Sequence, residues 1–233
     1  MSPSISAVRV PSKSEKPTAA VIFVHGLGDS GQGWKSISEH ARKSPEFDHI
    51  SFIFPNAPVI PLTVRGGAKM SAWFDIHQFG GVGDKHDYDG YLKSVKAVEA
   101  LVKEQIRLGV PAERIIIGGF SQGAAVTLGS LATLDTKIGG FLPFSAPVTQ
   151  FLDVIGSEER HSKANLNTPV FHGQRTSDPV VQKQAGDRAS DFFTKHLGYK
   201  NYTYKVYPGL AHSVNNEEFM EIFDMIRKVA PSN

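Results

Sequence analysis

None of the 233 residues is cysteine. Disulfides, thiolate metal sites, a cysteine nucleophile and S-acylation of the chain itself are therefore excluded. Charge of one sign is also scarce: 25 Lys and Arg stand against 23 Asp and Glu. The two signs are interspersed, so no basic stripe offers itself to nucleic acid. Long apolar runs are missing as well. Stretches such as Ala19–Val24 are far too short to cross a bilayer. Met1 to Thr18 carries no apolar signal-peptide core, and residue 2 is Ser rather than the Gly that N-myristoylation needs. The expectation is a soluble, cytoplasmic protein with no integral membrane segment and no nucleic-acid partner.

What is present is the balance of an ordinary globular protein, 40% hydrophobic and 21% charged. The length suits one domain better than two, and neither an internal repeat nor a low-complexity tract interrupts it. Strand-like and helix-like segments alternate throughout. Ala19–Val24, Ile50–Phe54, Arg114–Phe120, Ile138–Phe144, Pro169–Phe171 and Tyr202–Tyr207 read as strands. Continuous apolar strands imply burial on both faces, as in a parallel sheet covered by helices. In Tyr91–Leu108, apolar residues recur at three- and four-residue spacing before Gly109 and Pro111 stop the helix. Ala124–Leu134, Gln182–Leu197 and Glu217–Val229 read as further helices. The alternation predicts a doubly wound α/β fold, a mostly parallel central sheet with helices on both faces. Pro55 to Asp89 breaks the rhythm. It is rich in Gly and Pro yet carries Trp73, Phe74 and Phe79, so it reads as a loop bordering the functional site.

Gly119-Phe120-Ser121-Gln122-Gly123 matches G-x-S-x-G. A β-rich run precedes it and small apolar residues follow, which is the strand–turn–helix setting of a nucleophile elbow. A serine hydroxyl needs a base within reach, and in this arrangement the partners follow in the order Ser, acid, His. Among the histidines after Ser121, His161 falls in a polar loop, His172 ends a strand and His196 lies on a helical pattern. His212 sits between the last strand and the last helix, where it can swing over the sheet. Asp178 follows the preceding strand and would hold the imidazole tautomer. Asp153, Asp187 and Asp191 are its rivals, the last two on a helical pattern. Backbone N–H groups of Gln122 and Leu27 are the candidate donors to an oxyanion, the second from the glycine-rich loop after the first long strand.

That loop, Gly26-Leu27-Gly28-Asp29-Ser30-Gly31, also reads as a dinucleotide fingerprint. The fingerprint wants an acid at the end of the next strand, and Phe54-Pro55-Asn56 supplies none. Asp84, His86, Asp87 and Asp89 cluster without a recognisable metal-ligand spacing, so no metal is expected.

Together with Pro55-Asn56-Ala57-Pro58, Ser71-Ala72-Trp73-Phe74-Asp75-Ile76 and Asp178-Pro179-Val180-Val181, these motifs resemble the acyl-protein thioesterase/lysophospholipase carboxylesterases, a family of α/β-hydrolases. The similarity runs from Thr18 to Ala230. It implies a triad of Ser121, Asp178 and His212, an oxyanion hole at Leu27 and Gln122, and an acyl groove bordered by Trp73 and Phe74. It also implies hydrolysis of fatty-acyl thioesters on S-acylated proteins, with lysophospholipase and small-ester activity beside it, and no cofactor. Two stretches depart from the family pattern. The segment from His172-Gly173 to Asp178 is longer than the usual His-Gly-x-x-Asp, and Ser145-Ala146-Pro147-Val148-Thr149 differs from its counterpart. A short-chain carboxylesterase and a non-catalytic lipid- or protein-binding module remain the alternatives.

Overall fold

The computed structural model describes residues 5–78, 85–209, 211–213 and 215–232, so Phe79, Asp84 and Leu210 lie outside the described residues. Its centre is a seven-stranded sheet. Strands β1 (Ala7–Val10), β2 (Ala19–Val24) and β3 (Ile50–Pro55) form one half, with β3 between the other two. A separate hairpin follows, β4 (Val59–Leu62) and β5 (Ala68–Ser71), and then β6 (Ile115–Phe120), β7 (Gly140–Phe144), β8 (Val170–Arg175) and β9 (Tyr202–Tyr207) complete the main sheet. Only β1 runs antiparallel to its neighbour; every other pairing in the main sheet is parallel.

All six residues of β2 are buried. Successive side chains point to opposite faces, so Ala20, Ile22 and Val24 join one core and Ala19, Val21 and Phe23 the other. The first core is closed by α2 (Tyr88–Arg107), α3 (Gln122–Thr133), α4 (Leu152–Ile155) and α5 (Lys183–Asp191). The second is closed by α1 (Ser36–Ala41) and α6 (Asn216–Val229). In α6, Asn215 and Glu218 form a reciprocal capping box, worth about 1 kcal/mol. Ile222, Phe223 and Ile226 are fully buried on the sheet, each worth about 2 kcal/mol relative to exposure. Packing therefore outweighs capping in holding α6.

Besides the short helices α1 and α4, four features of the fold depart from the sequence expectations. An edge strand, β1, pairs with β3; at four residues and only partly buried it carries little apolar signal. The Pro55–Asp89 stretch folds part of itself into the β4–β5 hairpin, with Gly66 and Gly67 at positive φ in the turn. Strand β8 runs on through Gln174 and Arg175, beyond the expected Phe171. The helix expected over Gln182–Leu197 ends at Asp191 and passes into a π-helical turn, Phe192–His196. At the start of α2, Asp87 caps the helix by accepting from the Gly90 N–H, and its other oxygen accepts from the Asp75 N–H. That is the structural occupation of the polar cluster's central residue.

Candidate active site

Ser121 sits where β6 turns into α3, at φ 55 and ψ −121. Such backbone is rare for a non-glycine residue and costs about 1–3 kcal/mol, so the surroundings must enforce it. The Ser121 N–H donates to Phe144 O on the neighbouring strand at 3.0 Å. The flanking glycines permit the turn: a Cβ on Gly119 would lie 2.4 Å from Gly123 O, and one on Gly123 would lie 2.0 Å from Val24 O. These contacts are with backbone, which cannot rotate aside. Gly123→Ala should therefore lower the unfolding free energy by about 3 kcal/mol, measured by urea denaturation. A loss within experimental error would mean that α3 is not seated on β2 as described.

From Ser121 a chain of hydrogen bonds crosses the end of the sheet. Ser121 Oγ lies 3.1 Å from His212 Nε2, and His212 Nδ1 lies 2.7 Å from Asp178 Oδ2. A carboxylate only accepts, so Nδ1 carries the ring proton and Nε2 is left to accept from the serine hydroxyl. Asp178 Oδ1 accepts from the N–H groups of Val180 and Val181, both at 2.8 Å. Burial pushes the Asp178 carboxyl up, but the bonds from His212, Val181 and Val180 outweigh it and hold the pKa below the ordinary 3.8. The lowered value makes Asp178 a source of stability above pH 3.8, lost as pH falls through the folded-state pKa. The rivals lie elsewhere. His161 approaches Tyr199, His172 is buried against Tyr202, and His196 stacks on Phe192. Asp187 bonds Lys183 and Tyr204, Asp191 pairs with Lys195, and Asp153 is exposed on α4.

Beside Ser121, the N–H groups of Leu27 and Gln122 have no hydrogen-bond partner among the described residues. Gln122 opens α3, whose N-terminal dipole favours negative charge there. The Leu27 loop is braced from below. His25 Nδ1–H donates to Gly26 O at 2.7 Å, while its Nε2 accepts from the Ala57 N–H at 3.0 Å. Burial lowers the His25 pKa, so the ring serves as a neutral spacer. In place of a ribose-binding acid, Asn56 uses its side-chain oxygen to accept from the Gly31 N–H.

A cavity of about 840 Å³ opens over Ser121, within the range of small-molecule sites. Its apolar wall includes Leu27, Trp34, Phe74, Phe120, Pro179 and Val181. Phe74 lies on that wall. Trp73 does not: it is absent from the lining. Its indole N–H donates to His25 O at 2.8 Å and its backbone N–H to Gln122 Oε1 at 3.0 Å, while Gln122 Nε2 donates to Phe74 O at 3.0 Å. The indole's polar edge finds its partner inward, so Trp73 braces the loop that carries Leu27 from behind the wall. Three buried residues behind Asp178 carry no role in the sequence reading: Ser145, Arg175 and Glu218. The available signal was a basic residue just upstream of Asp178, in the lengthened segment.

The phospholipase/carboxylesterase family model matches residues 6–230. Acyl-protein thioesterase 1 of Debaryomyces hansenii is 45% identical, the match covering 98% of this chain and 99% of that protein. Its Saccharomyces cerevisiae namesake is 40% identical over 96% of this chain and 98% of that one. Among solved structures, Arabidopsis thaliana SOBER1 superposes with a TM-score of 0.81 at 32% identity, covering 90% of this chain and 98% of that one. Zea mays acyl-protein thioesterase 2 gives 0.77 at 25% identity, covering 96% and 98%.

Proposed function

Because the chain belongs to the phospholipase/carboxylesterase family, we propose that it is a serine hydrolase cleaving fatty-acyl thioesters, S-acylated proteins above all. The observation that carries this reading is a Ser–His–Asp chain and two N–H groups, unpartnered among the described residues, converging at an apolar cavity. The acyl-protein thioesterase names of its full-length relatives support the choice of substrate class.

Ser121 Oγ attacks the acyl carbonyl carbon as its proton passes to His212 Nε2. The carbonyl oxygen becomes an oxyanion and accepts from the N–H groups of Leu27 and Gln122. Asp178 holds the ring in the tautomer that can receive the proton and stabilises the imidazolium. The carbon–sulfur bond breaks, the leaving sulfur takes the proton from His212, and Ser121 is left acylated. Water then attacks the ester carbon as His212 Nε2 takes its proton; the bond from carbon to Ser121 Oγ breaks, Oγ takes that proton back and the fatty acid departs. Protein groups and water account for every step, so the route calls on no cofactor. Phe74 and the facing wall would hold the acyl chain. The same chemistry opens lysophospholipid and aryl esters.

The test is a profile of kcat/KM across acyl thioesters, aryl esters and lysophospholipids of graded chain length. The expected result is a rise with acyl length and a preference for thioesters over matched oxyesters. Turnover confined to acetyl and propionyl oxyesters would make the chain a short-chain carboxylesterase. Failure of Ser121 to react with a fluorophosphonate in folded protein would make it a binding module.

A further inference from the structure

Three buried polar side chains that this reaction leaves idle, Glu218, Arg175 and Ser145, form a chain of hydrogen bonds ending on Asp178. Arg175 ends β8 and is fully buried. Its Nη2 donates to Glu218 Oε2 at 2.7 Å, and its Nε donates to Ser213 O at 2.7 Å, the residue after His212. Its Nη1 donates to Ser145 Oγ. The Ser145 hydroxyl then donates to Asp178 Oδ2 at 3.1 Å, the oxygen that also receives His212. The direction of that relay is fixed. A guanidinium has no lone pair with which to accept, so Ser145 accepts from Arg175 and its single proton is left for Asp178. The carboxylate consequently has four donors: His212, Ser145, Val180 and Val181.

Ion pairing alone does not account for Arg175. Burial pushes the Glu218 carboxyl up to about 7 in spite of Arg175, and a desolvated pair of this kind contributes little net stability. Two of the three bonds above go past Glu218, one to the acid's neighbour and one to the base's. The guanidinium also lies over the Phe120 ring, 5.0 Å from its centroid, and Phe120 in turn packs on His212 at 4.8 Å. Ser145 sits at φ 52 and is, with Ser121, one of the two non-glycine residues at positive φ among the described residues. Strain of that kind persists where the surroundings over-determine the backbone. The two stretches in which the sequence leaves its family pattern thus meet in one contact, Arg175 with Ser145.

We propose that Arg175 is a positioning residue of the hydrolase, fixing Asp178 through Ser145 and the His212 segment through Ser213. The proposal rests on reading Ser121, His212 and Asp178 as the triad. Its test compares four variants of the full chain by kcat, KM and thermal midpoint on a long-chain acyl thioester. Arg175→Met combined with Glu218→Met removes both buried charges together, so the fold is expected to survive. Its kcat should fall about 10- to 100-fold, the scale of a small misplacement of reacting groups, with KM held within about twofold. Ser145→Ala keeps the ion pair and cuts only the relay; its kcat should fall by about threefold to tenfold. Arg175→Lys keeps the charge and should recover part of the loss. A folded Arg175→Met/Glu218→Met protein with unchanged kcat overturns the proposal, as does a change confined to KM. If that variant does not fold, Ser145→Ala decides: a wild-type kcat refutes the relay. Asp178→Asn separates the two layers, because an undamaged Asp178→Asn enzyme defeats the triad reading itself.

Discussion

Ser121→Ala should reduce kcat for a long-chain acyl thioester by about 10⁴- to 10⁶-fold, with the fold intact. The substitution removes one oxygen from a residue that is 7% exposed and whose strained backbone is held by Phe144 and the elbow glycines. Alanine inherits the same φ, so thermal stability should change little while the acyl-enzyme route disappears. His212→Ala should fall into the same range, since the hydroxyl at 3.1 Å then has no acceptor for its proton. Members of such a unit are not additive. The Ser121→Ala/His212→Ala enzyme should therefore be no worse than either single variant, within about tenfold. Single-turnover assays with an acyl thioester, beside a fluorophosphonate label, decide the matter. A Ser121→Ala enzyme turning over at near wild-type rate would remove Ser121 from the mechanism.

Asp178→Asn should cost about 10³- to 10⁴-fold in kcat, less than loss of the serine or the histidine. The size follows from how the carboxylate is bonded. Its Oδ1 accepts from two backbone N–H groups, so the amide oxygen must take that place and the amide nitrogen must turn toward His212. An N–H there meets Nδ1 only if Nδ1 is unprotonated. The ring proton then moves to Nε2, which can no longer accept from Ser121. Nearly isosteric replacement thus disables the base by tautomer rather than by distance. KM should stay close to the wild-type value. Asp153→Asn, on an exposed site of α4, should leave kcat unchanged within about twofold; a loss as large as that of Asp178→Asn would transfer the acid's role.

The parts of this molecule legible from sequence are those in which local pattern and tertiary burial agree. Strand β2 is apolar at every position because both its faces are covered. Helix α2 shows its buried stripe because its other face meets water. The Ser121 elbow shows because two backbone approaches admit only glycine. Where a residue's place is decided by a distant partner, the pattern is silent. Arg175 continues β8 as a buried cation because Glu218, Ser145 and Ser213, all distant in sequence, receive it. Trp73 reads as a wall residue until its indole N–H finds the His25 carbonyl. The β4–β5 hairpin has too few buried positions to announce itself.

The chain's two tryptophans stand on opposite sides of the cavity wall. Trp34 lines the cavity, with its indole N–H on Asp29 at 3.0 Å and its ring against Phe23 and Phe120. Trp73 is sealed behind that wall. An acyl chain entering the cavity would meet the first fluorophore, whereas the second presents no face to it. The molecule thus carries a built-in optical pair, one dye for occupancy and one for integrity. In a Ser121→Ala background, emission could follow a thioester settling into place with no bond broken.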